Sequence, residues 1–405
     1  MNNSKETFCV APWFQIRNSN NMAKKVCCAI SGEITKDILG HTMSSLEYLN
    51  SQPILDLKKD LANGIKSECC SKCWIDEENG IQSVRQDLNS LLLENSNSLN
   101  WMDTYFSKKS DFISDMILSA DVKVGNTCNY ACVMCNPEDS SLIYTNWMSN
   151  LDHPIVKSKL ATDPNYLQRV KSFSFKNEKY IRYLTDILEN NKHIRFLKFL
   201  GGEPFLDKFL IDKLRELPDS TKKKLSLIFV TNASKDFSDI IDSLGDFKYI
   251  QCSVSLEGTG EVQEWARYGS DWNQVEQNVL KAVKNPKIDM TVLYTFQTAT
   301  VLGFADLAKW CRSNNIKLGA NLVYDPVCLS VKTLPDDIKK NLLADIVNNK
   351  NIINDIETSY EDLLIKVNDL EYDPSLRNDF FAYIEWYETN KNIKKLKNIF
   401  PELYR

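Results

Sequence analysis

The chain has 405 residues, of which 43% are hydrophobic and 25% charged, and its formal net charge is −5. This length predicts two or three globular domains, and the acidic balance excludes nucleic-acid binding through a large basic face. No run approaches the roughly 18 consecutive apolar residues of a membrane span, and the start lacks the apolar core of a signal peptide, so we expect a cytoplasmic protein with reduced thiols.

The first 75 residues contain half of the twelve cysteines, namely Cys9, Cys27, Cys28, Cys69, Cys70 and Cys73. One site could receive four thiolates from this segment: one from a first cysteine, one from a cysteine after a hairpin, and two from a final C-x2-C pair. The favoured set is Cys9, Cys27, Cys70 and Cys73. Because two cysteines are doubled, Cys28 or Cys69 could replace its neighbour. Four thiolates suit structural zinc as well as an iron–sulfur cluster, so both remain open.

Further along the chain, β-like and helix-like segments alternate. The polar stretch LLLENSNSLN at 91–100 predicts a linker. Six strands are predicted at 118–124, 194–200, 225–231, 249–256, 289–297 and 317–324. Helices are predicted between them at 180–191, 205–217, 237–244, 273–285 and 303–315. Repeated βα units in one direction predict a parallel sheet, either doubly wound or barrel-like. After residue 335 only helices are expected.

Three cysteines follow the first strand of this series, in the segment VGNTCNYACVMC. Cys128, Cys132 and Cys135 have C-x3-C-x2-C spacing, and three thiolates can hold three irons of a cubane cluster while the fourth iron stays open. Such a cluster would lie at the carboxyl end of the sheet, where parallel α/β folds place their chemistry. The alternatives are a zinc site with a distant fourth ligand, or thiols that pack as small apolar groups.

The second strand of the series ends in the turn Gly201, Gly202, Glu203 and Pro204. Two glycines would let a ligand lie against bare backbone, and the carboxylate of Glu203 could receive an ammonium group. Alone, the turn would be an ordinary strand-to-helix connection. One strand after the cysteine trio, it indicates a binding site.

CNYACVMC at 128–135 and GGEP at 201–204 resemble the cluster motif and the ammonium-binding motif of the radical S-adenosylmethionine (SAM) enzymes. The resemblance implies a partial (β/α)6 TIM-like barrel, with a [4Fe–4S] cluster on the trio. It also implies that SAM binds the open iron through its amino and carboxylate groups. An electron from the cluster then cleaves SAM to methionine and a 5′-deoxyadenosyl radical, which abstracts hydrogen from a substrate. Met134 stands where many members have an aromatic residue, and its backbone would meet the adenine.

Weaker matches follow at the ends of later strands. VTNAS at 230–234 resembles a family turn and implies that Asn232 lies near SAM. VSLEG at 254–258 resembles a family S-x-D-G pattern, with Glu257 in place of aspartate, and implies that Ser255 lies near the SAM carboxylate. Arg267 could supply a cation for the same carboxylate. The alternative for Arg267 is a surface helix residue.

The N-terminal cysteines resemble the auxiliary-cluster twitch module, the half-size relative of the SPASM domain. Those modules usually follow the barrel, whereas these cysteines precede it. One class of radical SAM proteins, with a C-x2-P-W segment and a C-x2-C…E…G…S-x-R segment, is similar to this chain. The matching residues are Pro12, Trp13, Glu77, Gly80, Ser83 and Arg85. The resemblance implies an auxiliary [4Fe–4S] cluster that passes electrons or helps to seat the substrate.

These motifs predict three domains: an auxiliary-cluster domain with linker (1–115), a partial barrel (116–335) and a helical extension (336–405) that could cover the barrel mouth. We interpret the chain as a radical SAM oxidoreductase or modifying enzyme. Its partners would be a substrate and a flavodoxin- or ferredoxin-type electron donor, with no membrane or nucleic acid. The expected substrate is a peptide, although no peptide-binding winged-helix module is visible.

Two other functions are alternatives. One is a radical SAM dehydrogenase or epimerase of a small molecule such as a sugar. The other, from a different class, is a non-catalytic, zinc-stabilised interaction protein. That reading accounts for the N-terminal cysteines but leaves the trio and GGEP as a coincidence.

Overall fold

The structure is a computed structural model that describes residues 6–18, 23–31, 43–94, 112–170, 178–323, 325–351, 360–389 and 391–404. Its centre is a sheet whose strands are β1 (Gln15–Asn18), β2 (Lys24–Lys25), β3 (Ser119–Lys123), β5 (Phe196–Leu200), β6 (Ser226–Thr231), β7 (Tyr249–Ser255), β9 (Asp289–Phe296) and β10 (Lys317–Leu322). Two short strands, β4 (Ala131–Cys132) and β8 (Arg267–Tyr268), form a separate antiparallel pair.

The sheet order is β10-β9-β7-β6-β5-β3-β1-β2, and every pairing except β1 with β2 is parallel. The six predicted strands are confirmed as β3, β5, β6, β7, β9 and β10. They follow one another across the sheet in chain order, as in a barrel wall. A doubly wound sheet would instead reverse its order at a switch point, so the barrel-like alternative is the one observed.

Helices connect these strands and cover the sheet. Those before β3 are α1 (Ala11–Phe14), α2 (Ser45–Leu49), α3 (Gln52–Ala62), α4 (Ser71–Glu78) and α5 (Val84–Glu94). Those up to β10 are α6 (Ser141–Met148), α7 (Pro154–Thr162), α8 (Tyr166–Val170), α9 (Glu178–Glu189), α10 (Lys208–Glu216), α11 (Asp219–Lys222), α12 (Phe237–Asp242), α13 (Gly260–Ala266), α14 (Trp272–Val283) and α15 (Phe304–Ser313). The five predicted inter-strand helices are therefore confirmed as α9, α10, α12, α14 and α15.

The apolar pattern of each element explains its position. On α9, Tyr180, Tyr183, Leu184 and Ile187 recur at spacings of three and four and are buried against the core. Along β6, Leu227 and Phe229 are fully buried, and the ring of Phe229 stacks on Phe199 of the neighbouring strand at 5.1 Å. This packing holds the carboxyl ends of the central strands side by side.

The N-terminal residues are part of the central sheet. β1 pairs in parallel with β3, with Gln15 opposite Ser119 and Arg17 opposite Asp121. The sheet therefore crosses the predicted domain boundary at 115/116, and the boundary itself remains a prediction. The predicted linker at 91–100 is wrong over its first part, because residues 91–94 belong to α5. Its other residues lie outside the described ranges.

Beyond the last strand, the described residues form α16 (Asp336–Asn348), α17 (Tyr360–Asp369), α18 (Pro374–Thr389) and α19 (Leu396–Ile399), as the sequence predicts. None of the helices in the described ranges combines the length and the apolar character that a membrane span requires.

Candidate active site

The cysteine trio lies on the loop that leaves the carboxyl end of β3, with Cys132 in β4. Cys132 is buried and the other two thiols are half-buried. The pKa of Cys128 is raised to about 12, mainly by burial and also by the nearby charge of Cys132. Burial and the charges of both other thiols raise the pKa of Cys135. The structure thus brings the three thiols together in a dry environment, where a bound cation would stabilise their thiolates.

Within the described ranges, no three histidine, cysteine, aspartate or glutamate side chains converge on one point as ligands of a single metal ion do. A cubane cluster differs from a single ion because each thiolate binds a different iron. Its ligands therefore need not converge on one point. The trio, one buried thiol and two half-buried thiols that lie near one another, is a donor set that fits such a cluster.

Glu203 is buried beside this loop, at the end of β5. One carboxylate oxygen accepts hydrogen bonds from the backbone N–H of Phe205 (3.1 Å) and the hydroxyl of Thr231 (2.8 Å). The other oxygen accepts from the backbone N–H of Asn232 at 2.7 Å. Burial raises the pKa of Glu203 to about 7, although these three bonds oppose the shift. The carboxylate is thus held rigidly and keeps acceptor capacity for a cation.

The glycines before Glu203 allow a close backbone contact. Gly201 has φ +109°, and a Cβ at Gly202 would lie 2.2 Å from the carbonyl oxygen of Thr127. The N–H groups of Gly202 and Glu203 donate to the carbonyls of Gly125 (2.8 Å) and Thr127 (2.9 Å). The sequence predicts that the two glycines leave space for a ligand. In the structure they have a second effect: they let the turn pack directly on the loop that carries the trio.

Asn232 links this turn to the trio. Its side-chain amide lies 3.6 Å from the sulfur of Cys128 and donates to Asn129 at 3.1 Å. Its backbone N–H binds Glu203, as described above. The structure therefore places Asn232 between the loop that carries the trio and Glu203. Thr231, which also binds Glu203, was missed, because the VTNAS match drew attention only to the asparagine.

Arg267 is buried and is not the surface helix residue that the alternative interpretation assumed. It lies in β8 opposite Cys132, and its guanidinium pairs with the fully buried Glu257 at 2.7 Å. A second guanidinium nitrogen lies 3.5 Å from the sulfur of Cys132. Nε is buried with no hydrogen-bond partner among the described residues. Glu257 was noted only as a replacement for aspartate, and its pairing with Arg267 could not be read from spacing.

Ser255 and Met134 are the other two residues that the sequence predicts near SAM. Ser255 ends β7 and is half-buried, and no hydrogen bond of its hydroxyl is found within the described ranges. Met134 is half-buried between Cys132 and Cys135 and packs against the main core. Their proposed roles toward SAM remain predictions.

The N-terminal cysteines also come together. Cys9, Cys27 and Cys73 are buried, Cys70 is half-buried and Cys28 is exposed. Burial raises the pKa of Cys9, and the nearby charge of Cys73 raises it further. Burial also raises the pKa of Cys27, as do the nearby charges of Cys28, Cys9 and Cys73. These charges, with those of Cys9 and Cys27 on Cys70, place the cysteines of the predicted set and Cys28 near one another. Which of them are ligands, and for which metal, remains a prediction.

Three of the other matched N-terminal residues, Glu77, Ser83 and Arg85, form a hydrogen-bonded network beside these thiols. Arg85 donates to Glu77 through Nε (2.9 Å) and Nη2 (2.6 Å), and through Nη1 to the carbonyl of Phe8 (2.6 Å). Ser83 donates to the same carboxylate. Phe8 precedes Cys9, and Glu77 is on the helix that carries Cys73, so the network fixes two cysteine segments against each other.

A cavity of about 570 Å³ lies between the sheet and helices α4, α5 and α17. Side chains from β1, β3, β5, β6, β7 and β10 line it, together with Lys72 and Asp76 of α4 and Lys366 of α17. At one wall, the side-chain oxygen of Gln15 is buried without a hydrogen-bond partner among the described residues. The volume of the cavity is within the ~300–1,000 Å³ typical of ligand sites.

Comparison with known proteins adds a family match. Residues 122–308 match the model of the Radical SAM superfamily, which shows that the chain contains a radical SAM domain. This segment spans the cysteine trio, GGEP and Arg267. No curated protein matches the chain.

Solved structures that match the chain include native anSMEcpe with bound AdoMet, at 17% identity, covering 57% of this chain and 60% of that one, with a TM-score of 0.38. Streptococcus suis SuiB bound to S-adenosylmethionine matches at 14% identity, covering 72% and 63%, with a TM-score of 0.38. SuiB bound to precursor peptide SuiA matches at 15% identity, covering 70% and 58%, with a TM-score of 0.37. The chain thus spans about three fifths of each of these structures.

Proposed function

We propose, from the radical SAM superfamily domain at residues 122–308, that the chain is a radical SAM enzyme. It would cleave SAM reductively and use the resulting radical to abstract hydrogen from a substrate. The observation that carries the proposal is the adjacency of three thiols, one buried and two half-buried, to a buried carboxylate and a buried arginine. These groups come from chain segments more than 60 residues apart and share one end of the sheet.

In this proposal Cys128, Cys132 and Cys135 hold a [4Fe–4S] cluster, which supplies the electron for SAM cleavage. The chain's own groups bind and orient SAM. Glu203 accepts the ammonium group, because its carboxylate is fixed and lies in a low-dielectric environment. Asn232, Ser255, Arg267 and the backbone of Met134 complete the SAM site.

An auxiliary [4Fe–4S] cluster on Cys9, Cys27, Cys70 and Cys73 is also proposed, in a twitch- or SPASM-like module. Support comes from the adjacency of the thiols and from the position of α4. This helix begins beside Cys70, carries Cys73, and contributes Lys72 and Asp76 to the wall of the internal cavity. A cluster there would border the space in which we place the substrate.

The proposed substrate is a peptide. The cavity lining includes both lysine and aspartate side chains and the unpaired acceptor of Gln15, which an N–H donor of a peptide could satisfy. A small molecule such as a sugar is the alternative. Adding mixed short peptides or free sugars to the reduced enzyme would distinguish them, since only the correct class should raise 5′-deoxyadenosine formation.

The proposal is tested by replacing all three trio cysteines with alanine. The variant should make no 5′-deoxyadenosine under reduction, while iron bound by the N-terminal cysteines stays in place. Anaerobically purified protein is analysed for iron, sulfide and zinc, and nucleoside products are measured by chromatography. Product formation by the triple variant would disprove the assignment, and zinc without iron in the wild type would favour the non-catalytic alternative.

A further inference from the structure

The C-terminal helix α18 contacts the backbone on both sides of Cys132. The hydroxyl of Tyr383 donates to the carbonyl of Val133 at 2.7 Å. The hydroxyl of Tyr387 lies 3.0 Å from the carbonyl of Ala131. The two tyrosines are four residues apart and so share one face of the helix. Both side chains are buried, with relative exposures of 4% and 1%.

The same helix contacts the strand opposite Cys132. The hydroxyl of Tyr387 also lies 3.0 Å from the carbonyl of Trp265, just before β8. The indole N–H of Trp265 donates to Glu388 at 3.1 Å. Because one helix binds the chain next to both strands, it fixes the β4–β8 pair as a unit.

From the other side, the β4–β8 pairing itself holds Cys132. Val133 donates its N–H to the carbonyl of Ala266 at 2.8 Å, and Arg267 lies against the sulfur of Cys132. The backbone from Ala131 to Val133 is thus bonded to Ala266, the residue before β8, on one side and to α18 on the other. Little freedom remains for the direction of its thiol.

We propose that Tyr383 and Tyr387 are positioning residues, which hold the peptide groups around Cys132 so that its thiolate meets the cluster in one geometry. This inference rests on the proposed function, because it assumes that Cys132 is a cluster ligand. The C-terminal extension would then set the environment of the catalytic cluster, in addition to any part it has in covering the barrel mouth. Loss of groups that orient metal ligands typically costs about 10–100-fold in metal affinity or activity.

The test uses Tyr383→Phe, Tyr387→Phe and the double variant, which keep the rings and remove only the hydroxyls. Tyr294→Phe is the matched control, since Tyr294 is also buried and, among the described residues, its hydroxyl has only Thr300 as a hydrogen-bond partner, at 3.3 Å. In the double variant we expect a shifted or broadened electron paramagnetic resonance spectrum of the reduced cluster. SAM cleavage should fall by about ten-fold, and the control should resemble the wild type in both.

A second measurement does not depend on the cluster. In iron-free protein, hydrogen exchange at the Val133 amide should be faster in the double variant than in the wild type or in Tyr294→Phe. The inference would be overturned if a folded double variant had the same electron paramagnetic resonance spectrum, the same SAM cleavage and the same hydrogen exchange at Val133 as the wild type. If the wild type itself formed no cluster, the proposed function would fail, and the exchange experiment would still decide whether the tyrosines hold this loop.

Discussion

The pKa of Glu203 is determined mainly by its surroundings. An exposed glutamate is ionised at neutral pH, whereas burial raises the pKa of this one to about 7. The three hydrogen bonds from Phe205, Thr231 and Asn232 keep it in place in either charge state. A bound ammonium group would favour the ionised form, so SAM binding and deprotonation of Glu203 should be linked.

We therefore expect SAM affinity to fall with decreasing pH. With a pKa of about 7 in the SAM-free protein, the ionised fraction falls by about ten-fold between pH 8 and pH 6, and the dissociation constant should rise by about the same factor. Glu203→Gln should bind SAM at least about ten-fold more weakly at pH 8, because a charge-assisted bond contributes about 1.5–3 kcal/mol. Its affinity should not follow this pH dependence.

The measurement is anaerobic equilibrium dialysis at several pH values, with cluster content checked in each sample. An equal pH dependence in wild type and Glu203→Gln would show that another group is responsible. Unchanged SAM affinity in the variant, with the cluster intact, would remove Glu203 from the SAM site.

At the scale of elements, α4 depends on an ion pair for its position. Glu77 near its end binds Arg85, whose third contact is the carbonyl of Phe8. The Arg85 and Glu77 side chains are only 10% and 19% exposed, so solvent screens the pair weakly. By contrast, the pair of Lys66 with Glu78 of the same helix is 53% and 63% exposed. The two pairs should therefore differ in their contribution to stability.

Arg85→Met should lower the free energy of unfolding by about 1.5–3 kcal/mol, because it leaves a shielded carboxylate and a carbonyl without their charged donor. Lys66→Met, the matched control, should cost less than about 1 kcal/mol, as exposed ion pairs do. Urea unfolding of anaerobically purified protein, followed by circular dichroism, measures both. Equal losses would mean that the network does not stabilise the cysteine segments.

On the scale of the whole molecule, one sheet connects the segments of Cys9 and Cys27, which flank β1 and β2, to the trio, which follows β3, since β1 pairs with β3. In the proposed function only the trio leaves an iron open, because the N-terminal set supplies a thiolate to every iron of its cubane. The N-terminal site can therefore carry an electron or border the substrate, but it cannot bind and cleave SAM.

The expected consequence is a separation of effects in Cys70→Ala/Cys73→Ala. Iron should fall by about four per chain, the content of one cubane. SAM cleavage without substrate should persist, while substrate turnover should be lost. Cys28→Ala is the control, because it removes an exposed thiol outside the favoured set and should leave iron content unchanged.

Circular dichroism must first show that the double variant is folded, since a lost cluster can unfold the segment it ties together. Full substrate turnover by a folded double variant would make the N-terminal site purely structural. Zinc recovered at this site from anaerobically prepared protein would contradict the cluster assignment.

The sequence by itself determined the six parallel strands, the helices between them and the segments that carry the trio and GGEP. These features depend on residues close together in the chain: apolar periodicity defines each strand or helix, and short covalent spacing defines each motif. Sequence spacing did not decide between Cys27 and Cys28, or between Cys69 and Cys70, as members of the predicted four-thiol set. It was also insufficient to exclude zinc there.

Only the tertiary structure decided how distant segments meet. The addition of β1 to the barrel sheet, the pairing of Arg267 with Glu257 and the contacts of Tyr383 and Tyr387 with the trio loop were not predicted. The tyrosines lie about 250 residues from the carbonyls they bind, and no periodicity links such positions. The physical reason is that a buried hydroxyl or charge finds its partner through packing of the whole chain, and local sequence does not record that packing.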